Sequence, residues 1–141
     1  MISEEQKKKL VAEAIAAMKN PYPKDSPSVY AAAVLTDQGN IYSAANYWSD
    51  TASLSLHGEQ LALAHAAAHG EGTILAMAAT SNKTLDSGEF TAPCHMCKQL
   101  LWESRLRSDT PLLLILVNAH EETKEFDIDE LMPLPWPAQK K

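Results

Sequence analysis

Two short stretches hold the residues whose types and spacing can do chemistry. His57-Gly58-Glu59 sets an imidazole and a carboxylate two positions apart, and Pro93-Cys94-His95-Met96-Cys97 carries the chain's only two cysteines, spaced C-x-x-C. One histidine and two thiolates are a donor set for zinc. Three protein ligands on a tetrahedral ion leave a fourth position for water, whose pKa zinc lowers toward about 7. Glu59 then serves as the acid/base rather than as a ligand. Cys94 and Cys97, at i and i+3, share one face of a first helical turn, where the helix dipole favours thiolates. Pro93 suits a helix start because its missing N–H costs nothing there. With His57 still in the loop ahead of its helix, His57 and Glu59 can face one point, although i and i+2 diverge by about 200° inside a helix.

Other readings of the same residues stay open. A lone C-x-x-C also suits a redox pair, but no βαβ pattern precedes Cys94. A closed structural zinc site needs a fourth ligand, which His95, His65 or His69 would supply. His65 and His69 stand at i and i+4 on one helix, yet H-A-A-A-H lacks the glutamate of H-E-x-x-H, so they read as packed or surface histidines.

The elements that position these stretches follow from periodicity. Ser3 and Gln6 form a capping box, and Leu10, Val11, Ala14, Ile15 and Met18 recur at helical spacing, which predicts a helix over 4–19 stopped by Asn20-Pro21. Residues 29–36 and 41–44 read as a hairpin around the turn Asp37-Gln38-Gly39-Asn40. An alanine-rich helix over about 57–69 ends at Gly70 and Gly72. Residues 73–80 read as a buried strand, 81–91 as loop, and 94–107 as a helix with Leu100, Leu101 and Leu106 in the core. Residues 112–117 are another buried strand, and an acidic segment and a proline-punctuated segment close the chain. This order predicts an α/β fold: three layers, α/β/α, around a mixed sheet of about five strands, in a single domain over 1–141. The two helix starts are expected to meet at the carboxyl ends of parallel strands.

Composition removes several function classes. A net charge of −6, with lysines clustered only at Lys7-Lys8-Lys9 and Lys140-Lys141, gives no basic face for a nucleic-acid polymer. No apolar run is long enough to span a membrane. MISEEQKKKL has no apolar signal core, and two cysteines without one point to a reducing, cytoplasmic setting.

At these residues the chain resembles the cytidine deaminase family, in its short single-domain type. His57-Gly58-Glu59-Gln60 and the run to His65 resemble H-A-E-Q-x-A-x-x-H-A, and Pro93 to Gln99 resembles P-C-G-x-C-R-Q. Residues 31–39 resemble G-A-A-L-L-T-x-x-G, and Met132 to Trp136 resembles L-P-x-x-F. The resemblance runs over about residues 10–137. It implies one zinc per chain on His57, Cys94 and Cys97, with Glu59 as the proton shuttle. It implies that the Gly58 N–H meets the pyrimidine O2, that Asn46 binds a ribose hydroxyl, and that Trp136 helps close the site. The implied reaction is hydrolytic deamination of a cytosine-type amine, with cytidine or deoxycytidine as substrate and a free base, a purine analogue or a blasticidin-like aminonucleoside as the alternative; a non-catalytic zinc domain is the rival reading. Small-molecule partners, a homo-oligomer (a tetramer, with a dimer as the alternative), and a place in pyrimidine salvage follow from the same resemblance. Four positions depart from it. Trp48 stands where the pattern N-x-E has a carboxylate that grips ribose. His95 replaces a glycine close to the leaving amine, Ser28 falls where an active-site phenylalanine is usual, and Lys98 replaces arginine.

Overall fold

A computed structural model describes residues 2–83 and 88–139. Helix α1 (Glu4–Ala17) starts with the expected reciprocal cap: Ser3 Oγ accepts from the Gln6 N–H at 3.1 Å, and the Ser3 N–H donates to Gln6 Oε1 at 2.9 Å. Strands β1 (Tyr30–Thr36) and β2 (Ile41–Ala45) form an antiparallel hairpin. Gly39 takes φ +84° in its turn, a left-handed conformation that a side chain disfavours. Helix α2 (Gly58–Ala68), strand β3 (Ile74–Ser81), helix α3 (His95–Ser108), strand β4 (Leu113–Val117) and strand β5 (Thr123–Asp127) follow.

The sheet runs β2-β1-β3-β4-β5. Its two faces separate by the period-2 alternation of strands. Ala33, Leu35, Ala76, Ala78, Ile115 and Val117 pack with Leu10 and Ala14 of α1. Their neighbours Ala32, Val34, Met77, Ala79, Leu114 and Leu116 pack with Ala62 and Ala66 of α2 and Leu101 and Trp102 of α3. The result is the three-layer α/β/α arrangement with a five-stranded mixed sheet. Alanine on both sides of the α2–β1 contact lets helix and sheet approach closely.

Three expectations change. Among the described strands only β3 and β4 run parallel; β1 enters through its hairpin and is antiparallel to β3. The helix starts therefore meet where the carboxyl end of β3 lies beside the amino end of β1, Tyr30 pairing with Ser81. Leu100 is 38% exposed and Trp102 takes the buried position beside Leu101. The acidic segment contributes the fifth strand: β5 is a charged edge with Phe126 packed inward, a pattern suited to an unpaired edge. Part of the expected 81–91 loop, residues 84–87, and the Lys140-Lys141 pair lie outside the described residues. Among the described residues no helix is long and apolar enough to cross a membrane.

Candidate metal centre and catalytic site

His57 is the N-cap of α2, in extended conformation, and its backbone N–H donates to Gln60 Oε1 at 2.7 Å. Gln60 so fixes the turn at the start of α2. The sequence carries that signal, a glutamine three residues past a cap position. Cys94 is the N-cap of α3, also extended, and Cys97 lies in the first turn with no exposed surface.

The three donor atoms converge. His57 Nδ1 lies 3.4 Å from Cys94 Sγ and 3.4 Å from Cys97 Sγ, and the two sulfurs are 3.6 Å apart. Zinc bonds of about 2.3 Å to sulfur and about 2.0–2.1 Å to nitrogen at tetrahedral angles require edges of about 3.8 Å and about 3.6 Å. The triangle matches within a few tenths of an ångström, so these residues fit one zinc ion. Among the described residues no other His, Cys, Asp or Glu joins this group. A closed four-ligand site therefore has no fourth protein donor here, and His65, His69 and His95 stand outside it.

Gly58 shows how tightly α2 is seated. A Cβ at this position would lie 2.5 Å from the Tyr30 carbonyl oxygen and 2.9 Å from Ala31 Cα. Real Cβ atoms do not come that close to backbone, so glycine is what lets His57 and Glu59 reach their places.

Glu59 is 4% exposed and stands in the first turn of α2. Burial raises its carboxyl above the ordinary value, against the lowering effect of a hydrogen bond from the Cys97 thiol and of the His57 charge. Burial, and next the Glu59 charge, pushes the Cys97 thiol well up. One buried sulfur, Cys97, one exposed sulfur, Cys94, and a buried carboxylate around one point are a site in want of positive charge.

A cavity of about 330 Å³ opens onto this group. Its wall includes Tyr30, Trp48, His57, Glu59, Pro93 and Cys94, with the end of β3. Trp48 is held on three sides. Its Nε1–H donates to the Ser28 carbonyl at 2.9 Å, and its ring meets those of Tyr30 and His57 edge-on at 6.1 and 5.9 Å. Tyr30 and the end of β3 had no sequence signal of their own; strand pairing brings them in.

The remaining expected site residues fall elsewhere. Asn46 is 1% exposed and outside the cavity wall. Its Oδ1 accepts from the Tyr30 N–H at 3.0 Å, while Nδ2 is buried without a partner. His95 is exposed and does not line the cavity, so it does not face Trp48 within this chain. Trp136 is 78% exposed, also away from the wall; its carbonyl accepts from Gln99 Nε2 at 2.7 Å, tying the C-terminal segment to α3.

Comparison with known proteins agrees with this geometry. Residues 4–109 match the family described as the cytidine and deoxycytidylate deaminase zinc-binding region. A cytidine deaminase from Burkholderia pseudomallei superposes with TM-score 0.79 at 22% identity, over 96% of this chain and 100% of that one. One from Mycobacterium tuberculosis gives TM-score 0.73 at 22% identity, over 93% and 97%. One from Bacillus anthracis gives 0.66 at 19%, over 92% and 88%. At these identities the likeness speaks for the fold.

Proposed function

The chain belongs to the cytidine and deoxycytidylate deaminase zinc-binding family, and from that premise we propose that it is a zinc-dependent hydrolase that converts a cytosine-type amine to the uracil-type carbonyl with release of ammonia. The observation that carries this reading is the three-donor triangle standing open, beside a buried and sparsely partnered glutamate, onto a cavity.

His57, Cys94 and Cys97 would hold the zinc. Zinc in this place supplies Lewis-acid activation of water. Glu59 would take one proton from the attacking water and give it to the ring nitrogen, then carry the second, from the hydroxyl left on the carbon, to the departing amine. Burial raises its carboxyl above the ordinary value. The Gly58 N–H receives the pyrimidine O2. Asn46 is the ribose-facing residue of this reading, and its unpartnered Nδ2 is the donor it would offer. Trp136 and His95, exposed on this chain, act in the site of an assembled homo-oligomer, with a tetramer favoured over a dimer. Cytidine and deoxycytidine are the first substrates to test. Residues 1–141 form one domain of this type, working in the cytoplasm in pyrimidine salvage, on small molecules rather than on nucleic-acid polymers or at membranes.

The test is an ammonia-release screen with zinc-loaded protein over cytidine, deoxycytidine, cytosine, adenosine and guanine. Release from a cytosine compound supports the reading. One zinc per chain with no release from any of them overturns it.

A further inference from the structure

Resting on the deaminase reading, we infer that Tyr30 is a further substrate-binding residue: its phenol hydroxyl holds a hydroxyl group on the neutral substituent that the cytosine-type ring carries. Strand alternation sets Tyr30 on the face of the sheet where Ala32 and Val34 meet α2 and α3, and it lines the cavity with His57 and Glu59. Its main chain is fixed on both sides. The Tyr30 N–H donates to Asn46 Oδ1 at 3.0 Å, and its carbonyl accepts from the Asn46 N–H at 3.0 Å. The same carbonyl is the atom that a Cβ on Gly58 would meet at 2.5 Å, so it is pressed against the start of α2. The ring meets Trp48 edge-on at 6.1 Å. Among the described residues the hydroxyl on that ring has no hydrogen-bond partner. Tyr42 on the neighbouring strand shows the contrast, since it gives its hydroxyl to Glu71.

What this hydroxyl meets follows from what the base has left to offer. In the proposed reaction the Gly58 N–H receives O2, Glu59 serves the ring nitrogen, and the amine departs from the reacting carbon. The polar groups that remain belong to the substituent. Trp48 stands where the family pattern has a carboxylate for that substituent, and its one N–H is given to the Ser28 carbonyl. The indole meets two rings edge-on, those of His57 and Tyr30. His57 belongs to the donor triangle, which leaves Tyr30 as the ring beside Trp48 able to hydrogen-bond in place of that carboxylate. A phenol hydroxyl both donates and accepts, as a sugar-like hydroxyl does, so the two are complementary in either direction. It also brings no second negative charge to a wall that already holds Glu59. Thr91 and Ser81 carry hydroxyls on the same wall, and Ser81 Oγ accepts from the Lys83 N–H at 2.9 Å. Tyr30 differs from both in its contact with the indole at position 48. The resemblance over residues 31–39 begins after Tyr30 and gives it no role.

The experiment reads binding apart from turnover. Zinc-loaded Glu59→Gln protein, with and without Tyr30→Phe, is titrated with 1-methylcytosine, whose substituent has no hydroxyl, and with cytidine. Ammonia release by the wild-type protein is followed separately. Phenylalanine keeps a ring against Trp48 and removes only the hydroxyl. Tyr30→Phe is expected to weaken cytidine about 3–10-fold more than 1-methylcytosine, the share of one neutral hydrogen bond. A merely structural role would weaken both compounds alike, so an equal loss, or no loss for either, overturns the inference. In the protein that keeps Tyr30, cytidine should itself bind more tightly than 1-methylcytosine; the reverse order overturns the inference whether or not the variant folds. Ammonia release from cytidine beside any of these adverse results leaves the reaction standing. The expected selective loss without ammonia release overturns the reaction and leaves Tyr30 as a binding residue. Binding of neither compound overturns the inference outright.

Discussion

Helix α2 has a buried glutamate at each end, and the two are treated in opposite ways. Glu59, in the first turn, has one thiol donor and its own backbone for company, and burial raises its carboxyl. Glu71, just past the last turn, accepts from Thr36 Oγ1 at 2.6 Å, from Asn40 Nδ2 at 3.0 Å on both oxygens, and from the Tyr42 hydroxyl. Those bonds, led by Thr36, hold the Glu71 carboxyl below its usual value, and the same contact raises Tyr42. Both carboxylates are nearly inaccessible, at 4% and 7% exposure, so burial alone does not set their behaviour. The number of donors does. Glu71 is satisfied and clamps the β1–β2 hairpin to the end of α2. Glu59 is left wanting a proton or a cation, which is the condition a proton carrier needs.

The largest break of this comparison comes from Glu59→Gln. It should keep one zinc per chain and lower kcat by about 10²–10⁴-fold, the usual share of a positioned acid/base; metal analysis beside turnover checks both halves. Full activity in that variant would remove Glu59 from the mechanism. The same variant of the zinc-free protein should melt higher than wild type at neutral pH, because an amide replaces a charge that burial penalises. Chelating the metal from wild-type protein should abolish turnover and lower the melting temperature, since an ion bound only by the folded state stabilises that state.

Next in size is Gly58→Ala, which tests the seating on which Glu59 depends. Alanine normally favours a helix, but here its methyl meets the Tyr30 carbonyl at 2.5 Å. The variant should lose about 1–3 kcal/mol of stability in denaturant unfolding, the range for overpacking, rather than gain.

The smallest effect belongs to Glu71→Gln: turnover like wild type, with a lower melting temperature at neutral pH. Its pH dependence has a definite sign. The folded carboxyl lies below the unfolded value of 4.5, so its contribution is present above that pH and is lost as the pH falls through the folded pKa. Melts from neutral to acid should show wild type approaching the variant. Parallel curves would mean that the donors around Glu71 do not act through its charge.

The sequence made one of these glutamates legible and not the other. Glu59 stands in a pattern whose spacing is dictated by a metal and a helix start, so local chemistry announced it. Glu71 stands in Gly70-Glu71-Gly72, which reads as a helix stop, and its partners come from the hairpin some thirty residues earlier. The donor residues, the apolar strand runs and the α1 cap were local and readable for the same reason. The antiparallel entry of β1, the Phe126 edge strand and the exchange of Leu100 for Trp102 depend on which faces meet, and no single segment holds that information. The cavity wall divides along the same line. Cys94 and His57 were visible, whereas Tyr30 and the end of β3 arrive only through strand pairing.

The strap from the C-terminal segment to α3 gives the molecule a spectroscopic readout. Trp102 is 2% exposed and its Nε1–H donates to the Pro137 carbonyl at 2.8 Å, while Trp136, one residue before, is 78% exposed. Trp48 is the third indole, edge-on to His57. Intrinsic emission is thus a sum of a buried, a solvated and a site-facing fluorophore. Metal titration should change the Trp48 share first, and loosening of the strap should move Trp102 to the red, so the native chain reports ligand occupancy and helix anchoring at separate wavelengths without a label.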